Sequence, residues 1–210
     1  MKALERSRLI LKGLRRLYPD AHCELDFKTP LELLVATILS AQCTDKRVNV
    51  VTKELFKKYK TAADFSKAKR EDLEALVRST GFYRAKARSI REMAACLVAK
   101  HKGRVPDRME DLLELRGVAR KTANVVLGSA FGKAEGVVVD THVKRLAFRM
   151  GLTDETDPEK VERDLMELVP KKDWIMFSHG LVWHGRRVCF ARHPDCPGCS
   201  LNKVCPQRGV

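Results

Sequence analysis

No stretch of about 18 consecutive apolar residues occurs, so a membrane-spanning helix is not expected. The first residues, MKALERSRLI, lack the apolar core and small-residue cleavage site of a secretory signal, and a cytoplasmic location is the expectation. Low-complexity tracts, Gly/Ser linkers and internal repeats are also missing, so a second domain would have to pack directly on the first. Acidic residues are in short supply, 27 against 41 lysines and arginines, for a net charge of +14 and a pI near 9.7. Such an excess favours a polyanionic partner, because neutralised phosphates release counterions, although basic residues also serve plain solubility. At 210 residues the chain is long enough for one large domain or two small ones. A reducing compartment argues against structural disulfides, so the seven cysteines need another role.

β-Branched runs are equally scarce. Only Val137 to Val139 reads as a strand, while apolar residues recur at helical spacing almost everywhere else, which makes the fold class all-α. Thr29, Pro30 and Glu32 form a start signal ahead of the apolar stretch Leu31 to Leu39. Thr44 or Asp45 can cap a helix through Tyr59. Further helices are expected from Glu71 to Thr80, ended by Gly81, from Ala85 to His101, ended by Gly103, and from Asp107 to Leu115. The locally acidic segment Thr153 to Asp173 reads as a solvated face turned away from a polyanion.

Leu112, Leu115, Val118, Ala123, Val126 and Leu127 place apolar residues where two short helices would cross, around a tight turn from Arg116 to Arg120. This pattern resembles a helix-hairpin-helix. Small turn residues let the backbone approach a phosphate, and the N–H groups opening the second helix hold the anion. Plain helix packing would give the same pattern. A longer string, Leu115-Arg116-Gly117-Val118-Ala119-Arg120-Lys121-Thr122-Ala123-Asn124-Val125-Val126-Leu127 followed by Val139-Asp140-Thr141-His142-Val143, is similar to the signature of endonuclease III glycosylases. Leu39 to Asp45 and Thr80 to Ala87 resemble two more of that family's segments, in the same order. The family usually has proline at Arg116 and glycine at Ala119. If position 119 needs a positive φ, its alanine would cost on the order of 1 kcal/mol, and Ala119→Gly would tighten binding by a similar amount. Arg116 could compensate by adding a cation beside the same phosphate.

Lys121 opens the second hairpin helix, where the positive helix end and neighbouring Arg120 favour a neutral, nucleophilic amine. An amine can displace a base at the sugar C1′ and stay attached as a Schiff base, although a lysine here could equally bind phosphate. Asp140 stands as an N-cap before a helix whose core face is Val143, Leu146, Ala147 and Met150. The resemblance implies that Lys121 forms the covalent bond and that Asp140 accepts a proton and stabilises charge on the sugar. It implies that Gln42 fills the gap left by an extruded nucleotide, that Phe82 wedges against the opposite strand, and that Asp45 and His142 line the lesion pocket. Without the resemblance, Gln42 and Phe82 read as helix-end surface residues.

Cys189, Cys196, Cys199 and Cys205 form a C-x6-C-x2-C-x5-C array. Zinc and a [4Fe-4S] cluster both accept four thiolates, and the spacing leaves both open. The resemblance implies the [4Fe-4S] cluster, within a loop whose Arg186, Arg187, Arg192, His193 and Lys203 would lie along DNA. Cys23, Cys43 and Cys96 read as small buried hydrophobes.

The implied architecture is a two-lobed helix-hairpin-helix glycosylase: a six-helix barrel over residues 23–135, and an iron-sulfur lobe made from 1–22 and 136–210. The implied activity is removal of oxidised pyrimidines from duplex DNA, followed by β-elimination at the abasic sugar. The expected state is a nucleoid-associated monomer. Adenine-mismatch glycosylases share the array but usually lack a lysine at the position of Lys121. A rival of another class is a non-catalytic, altered-specificity or redox-sensing iron-sulfur protein that binds DNA without turnover, for which the departures at Arg116 and Ala119 speak.

Overall fold

The computed structural model describes residues Met1–Val210. Eleven α-helices and two 3-10 turns make up its regular structure, with no strand. The helices are α1 (Ala3–Leu17), α2 (Pro30–Leu39), α3 (Asp45–Lys58), α4 (Ala62–Lys67), α5 (Arg70–Val77), α6 (Tyr83–His101), α7 (Met109–Leu113), α8 (Arg120–Phe131), α9 (Thr141–Arg149), α10 (Pro158–Leu168) and α11 (Trp174–Arg187). The expected strand is irregular chain in which Val137 and Val139 are buried. It has no partner strand, and the Val138 N–H instead donates to Ser178 Oγ at 3.0 Å.

The chain forms two compact units, Cys23–Lys133 and a second made of Met1–His22 with Ala134–Val210. In the first, α2 is apolar on all sides and correspondingly buried, with Leu33, Leu34, Val35, Ala36 and Leu39 fully inside. Its start follows from local chemistry. Thr29 Oγ1 accepts from Glu32 N, Pro30 needs no partner at the first position, and Glu32 Oε2 accepts from Lys28 N at 2.5 Å. Thr44, rather than Asp45, caps α3. The helix expected to run to Thr80 stops at Val77 and tightens into the 3-10 turn Arg78–Thr80. The one expected over Asp107 to Leu115 shortens to α7, because Leu115 N already bonds to Leu112 O in the following turn. Cys23, Cys43 and Cys96 are half-buried against this core.

In the second unit α1, α9, α10 and α11 surround Ile10, Leu14, Leu146, Val161, Leu165, Phe177 and Leu181. Gly180 lets α11 approach α1, since a Cβ there would stand 3.3 Å from Leu14 Cβ. The acidic segment is not simply a solvated face. Its helix α10 buries Val161 and Leu165 together with Glu162, and buried Asp173 pairs with Arg15.

Candidate functional site

The hairpin is built from α7, α8 and the turn between them. Leu115 and Val118 bury their side chains, and Val118 N donates to Leu115 O at 3.1 Å, which turns the chain so that Gly117 takes φ +81°. A Cβ on Gly117 would meet Ser89 Cβ at 3.0 Å. Ala119 has φ −96° and ψ 171°, ordinary extended backbone. The strain anticipated at Ala119 is therefore absent, because the turn places its left-handed residue at Gly117. Gly117→Ala should lower stability by about 1–2 kcal/mol and weaken duplex binding, read by thermal melting and a binding titration. Ala119→Gly relieves no such strain, so the binding gain anticipated from it loses its main cause.

Beyond Ala119 the first turn of α8 contains Arg120, Lys121 and Thr122, with no acidic residue. Its opening N–H groups and the positive end of the helix are of the kind that favour an anion. Lys121 is exposed. Arg116 is exposed too, but its Nε lies 3.8 Å from Glu92 Oε2, so that cation is shared with α6.

Gln42 and Phe82 both adopt left-handed backbone, φ +54° and +47°. For side chains other than glycine this costs about 1–2 kcal/mol each, the kind of strain retained where function needs a particular projection. Phe82 is 67% exposed, the most exposed large apolar side chain of the protein. Asp45 is the half-buried first residue of α3.

In the other unit Asp140 caps α9, its Oδ1 accepting from Val143 N at 2.8 Å while the side chain stays half-buried. His142, two residues on, packs on Gly185, where a Cβ would come within 3.0 Å of its ring, and lies 3.2 Å from Arg145 Nη2. Burial holds the His142 imidazole below its ordinary range against the raising effect of Asp140, so it is neutral at neutral pH.

The four cysteines line one pocket that opens to solvent. Hydrogen bonds already address their sulfurs: Leu201 N donates to Cys199 Sγ at 3.3 Å, Arg149 Nη1 approaches Cys189 Sγ at 3.4 Å, and His184 Nε2 lies 3.4 Å from Cys199 Sγ. Such contacts suit thiolates that carry metal charge. Burial pushes the Cys199 and Cys205 thiols up, against the lowering effect of backbone N–H groups at Leu201 and Gln207, with the neighbouring sulfurs adding to the rise. His184 is held at about 4 by burial, and its Nδ1 meets Tyr18 Oη at 2.9 Å. Arg149 binds the Phe190 and Ala191 carbonyls at 2.6 and 3.0 Å, and Arg145 binds those of Gly185 and Cys189. These two arginines, one helical turn apart on α9, hold the loop that carries exposed Arg192. Sequence reasoning passed over them, as it did buried Lys86; only their i,i+4 spacing hinted at a shared face.

Residues 35–171 match the family model described as HhH-GPD superfamily base excision DNA repair protein. The chain is 55% identical over 202 residues to endonuclease III of Synechocystis sp., covering 96% of this chain and 92% of that protein. It is 42% identical to endonuclease III of Bacillus subtilis, covering 98% and 94%. A solved non-covalent endonuclease III–DNA complex superposes with a TM-score of 0.94 at 44% identity, covering 99% of this chain and 97% of that one. A trapped endonuclease III–DNA covalent intermediate matches equally. The all-helical fold and these likenesses define the class, a helix-hairpin-helix base-excision DNA repair enzyme. Within it the chain belongs to the endonuclease III family of DNA glycosylases and abasic-site lyases.

Proposed function

We propose that this enzyme removes oxidised or ring-reduced pyrimidines from duplex DNA and cleaves the resulting abasic strand, with Lys121 as nucleophile and Asp140 as the assisting carboxylate. The carrying observation is the exposed Lys121 on the acid-free opening turn of α8, directly beyond the left-handed Gly117. Backbone amides of that turn hold a phosphate, which fixes the register of the sugar without reading its base. The Lys121 amine attacks C1′ and the base departs with its bonding electrons and a proton taken from that amine; the C1′–O4′ bond then breaks, O4′ takes a proton from solvent, and the ring-opened sugar stays attached as an iminium ion. Loss of a C2′ proton then expels the 3′-phosphate, and water releases the amine. Asp140 stabilises positive charge on the sugar and takes up a proton. Gln42 and Phe82 occupy the space that the extruded nucleotide leaves, while Asp45 and His142 contact the base.

The four thiols around one pocket, with N–H donors already aimed at them, fit the [4Fe-4S] cluster generally carried by the family. Cys189, Cys196, Cys199 and Cys205 would hold it, and when bound it supplies covalent ties that order the loop bearing Arg192. Anaerobically purified protein should be brown, with about four iron and four sulfide per chain. Stoichiometric zinc without iron would overturn this assignment.

A panel of duplexes bearing thymine glycol, 5-hydroxycytosine, uracil or an abasic site tests the activity. Excision of the first two and nicking of the last are expected. Binding of all four without any nick would instead support the non-catalytic DNA-binding reading.

A further inference from the structure

We infer that Lys86 is a positioning residue whose buried ammonium ties together the two strained turns carrying Gln42 and Phe82. Its side chain, on the first turn of α6, is only 5% exposed. Nζ donates to Leu39 O at 2.8 Å and to Thr80 O at 2.7 Å. The first acceptor is the last residue of α2, where the terminal carbonyls lack helical partners and the helix dipole is negative. The second closes the 3-10 turn before Gly81. Gln42 follows the first carbonyl by three residues and Phe82 follows the second by two, and both are left-handed.

Two segments far apart in the chain thus share one cation, whose hydrogen-bond partners are backbone carbonyls rather than a carboxylate. Two carbonyl dipoles are a lean solvation for a buried ammonium, and burial lowers its affinity for the proton below the ordinary lysine range. A neutral, apolar residue would be easier to bury. What the lysine adds is a link that fixes one turn relative to the other, since each carbonyl loses its buried donor if the turns separate. A pair of inserting side chains needs such a link, because small misplacements near reacting centres have large effects on rate. This use of the link rests on the reading that Gln42 and Phe82 enter DNA.

The test compares full-length, cluster-loaded wild type with Lys86→Met and Lys86→Gln. Hydrogen exchange read by mass spectrometry should accelerate about tenfold or more in peptides spanning residues 40–43 and 80–83, while the rest of the protein keeps its protection. Unchanged exchange in both turns overturns the inference. So does general loss of protection or of folding in both variants, since Lys86 then serves the whole core. A second readout is fluorescence of 2-aminopurine placed opposite a tetrahydrofuran abasic analogue, which rises on unstacking. Lys86→Met should lose most of that rise, as should Gln42→Ala and Phe82→Ala. If those two alanine variants keep the full rise while exchange in the Lys86 variants accelerates, the insertion reading fails and the link between the turns stands.

Discussion

Borohydride added during turnover should join the wild-type protein covalently to DNA, and Lys121→Gln should abolish that product while still binding duplex. The expectation follows from where the side chain sits. Lys121 is exposed on the first turn of α8 and contributes nothing to the core formed by Ala123, Val126 and Leu127, so its replacement spares the fold. Among the candidate groups only an amine both attacks C1′ and persists as an iminium ion that hydride reduces to a stable secondary amine. Glutamine keeps length and polarity but has no basic lone pair. Affinity should change modestly, because the proposed phosphate site would draw on backbone amides and on Arg116 and Arg120 as well as on this lysine. Removing one cation lowers the slope of log affinity against log salt by about 0.9 if Lys121 touches phosphate. Binding to a tetrahydrofuran duplex, which cannot form the Schiff base, measures this separately from chemistry. A trapped product of unchanged yield from Lys121→Gln would move the nucleophile to another lysine.

Features governed by neighbours in sequence were legible before any coordinates. The cap at Thr29, the cap at Thr44 and the Asp140 cap of α9 are side chains meeting backbone N–H groups three residues away; the first and third form as read, and of the two candidates for α3 Thr44 is the one that caps. The short helix α4 was passed over although Thr61 and Asp64 make a full capping box, because six residues offer too little periodicity to register. The hairpin turn was recognised, but the positive φ considered for Ala119 falls on Gly117. Which of two small residues takes the positive φ depends on the Val118–Leu115 hydrogen bond, a property of the folded turn. Lys86, Arg145 and Arg149 were illegible for a common reason. Each is a charged side chain drawn inward by backbone carbonyls of a distant segment, and carbonyls leave no trace in residue identity. The cysteine array stood out because thiols are few and their spacing is tight, yet its supporting donors, Arg149 and His184, come from other elements.

Asp140→Asn should lower base excision by about 10²-fold or more while the protein melts close to wild type. The two halves separate because the observed cap and the proposed role in excision draw on different chemistry. As an N-cap, Oδ1 accepts from Val143 N at 2.8 Å, and an asparagine oxygen accepts the same bond, so α9 keeps its start and its buried face. As a participant in excision the residue needs negative charge and basicity, and the amide has neither. Asp140→Ala provides the contrast, since it removes the cap as well and should cost about 1 kcal/mol of stability. The charge change reaches one neighbour, because Asp140 raises the proton affinity of His142, which burial already depresses. The variant leaves that imidazole still more firmly neutral, so no new charge arises beside the site at neutral pH. Cleavage of a preformed abasic site should be less impaired than excision, because that sugar has already lost its base and Lys121 can attack its open aldehyde form directly. Single-turnover excision and lyase rates on matched duplexes measure the ratio. If Asp140→Asn excises normally while melting well below wild type, the residue is a cap alone and the carboxylate of the reaction lies elsewhere.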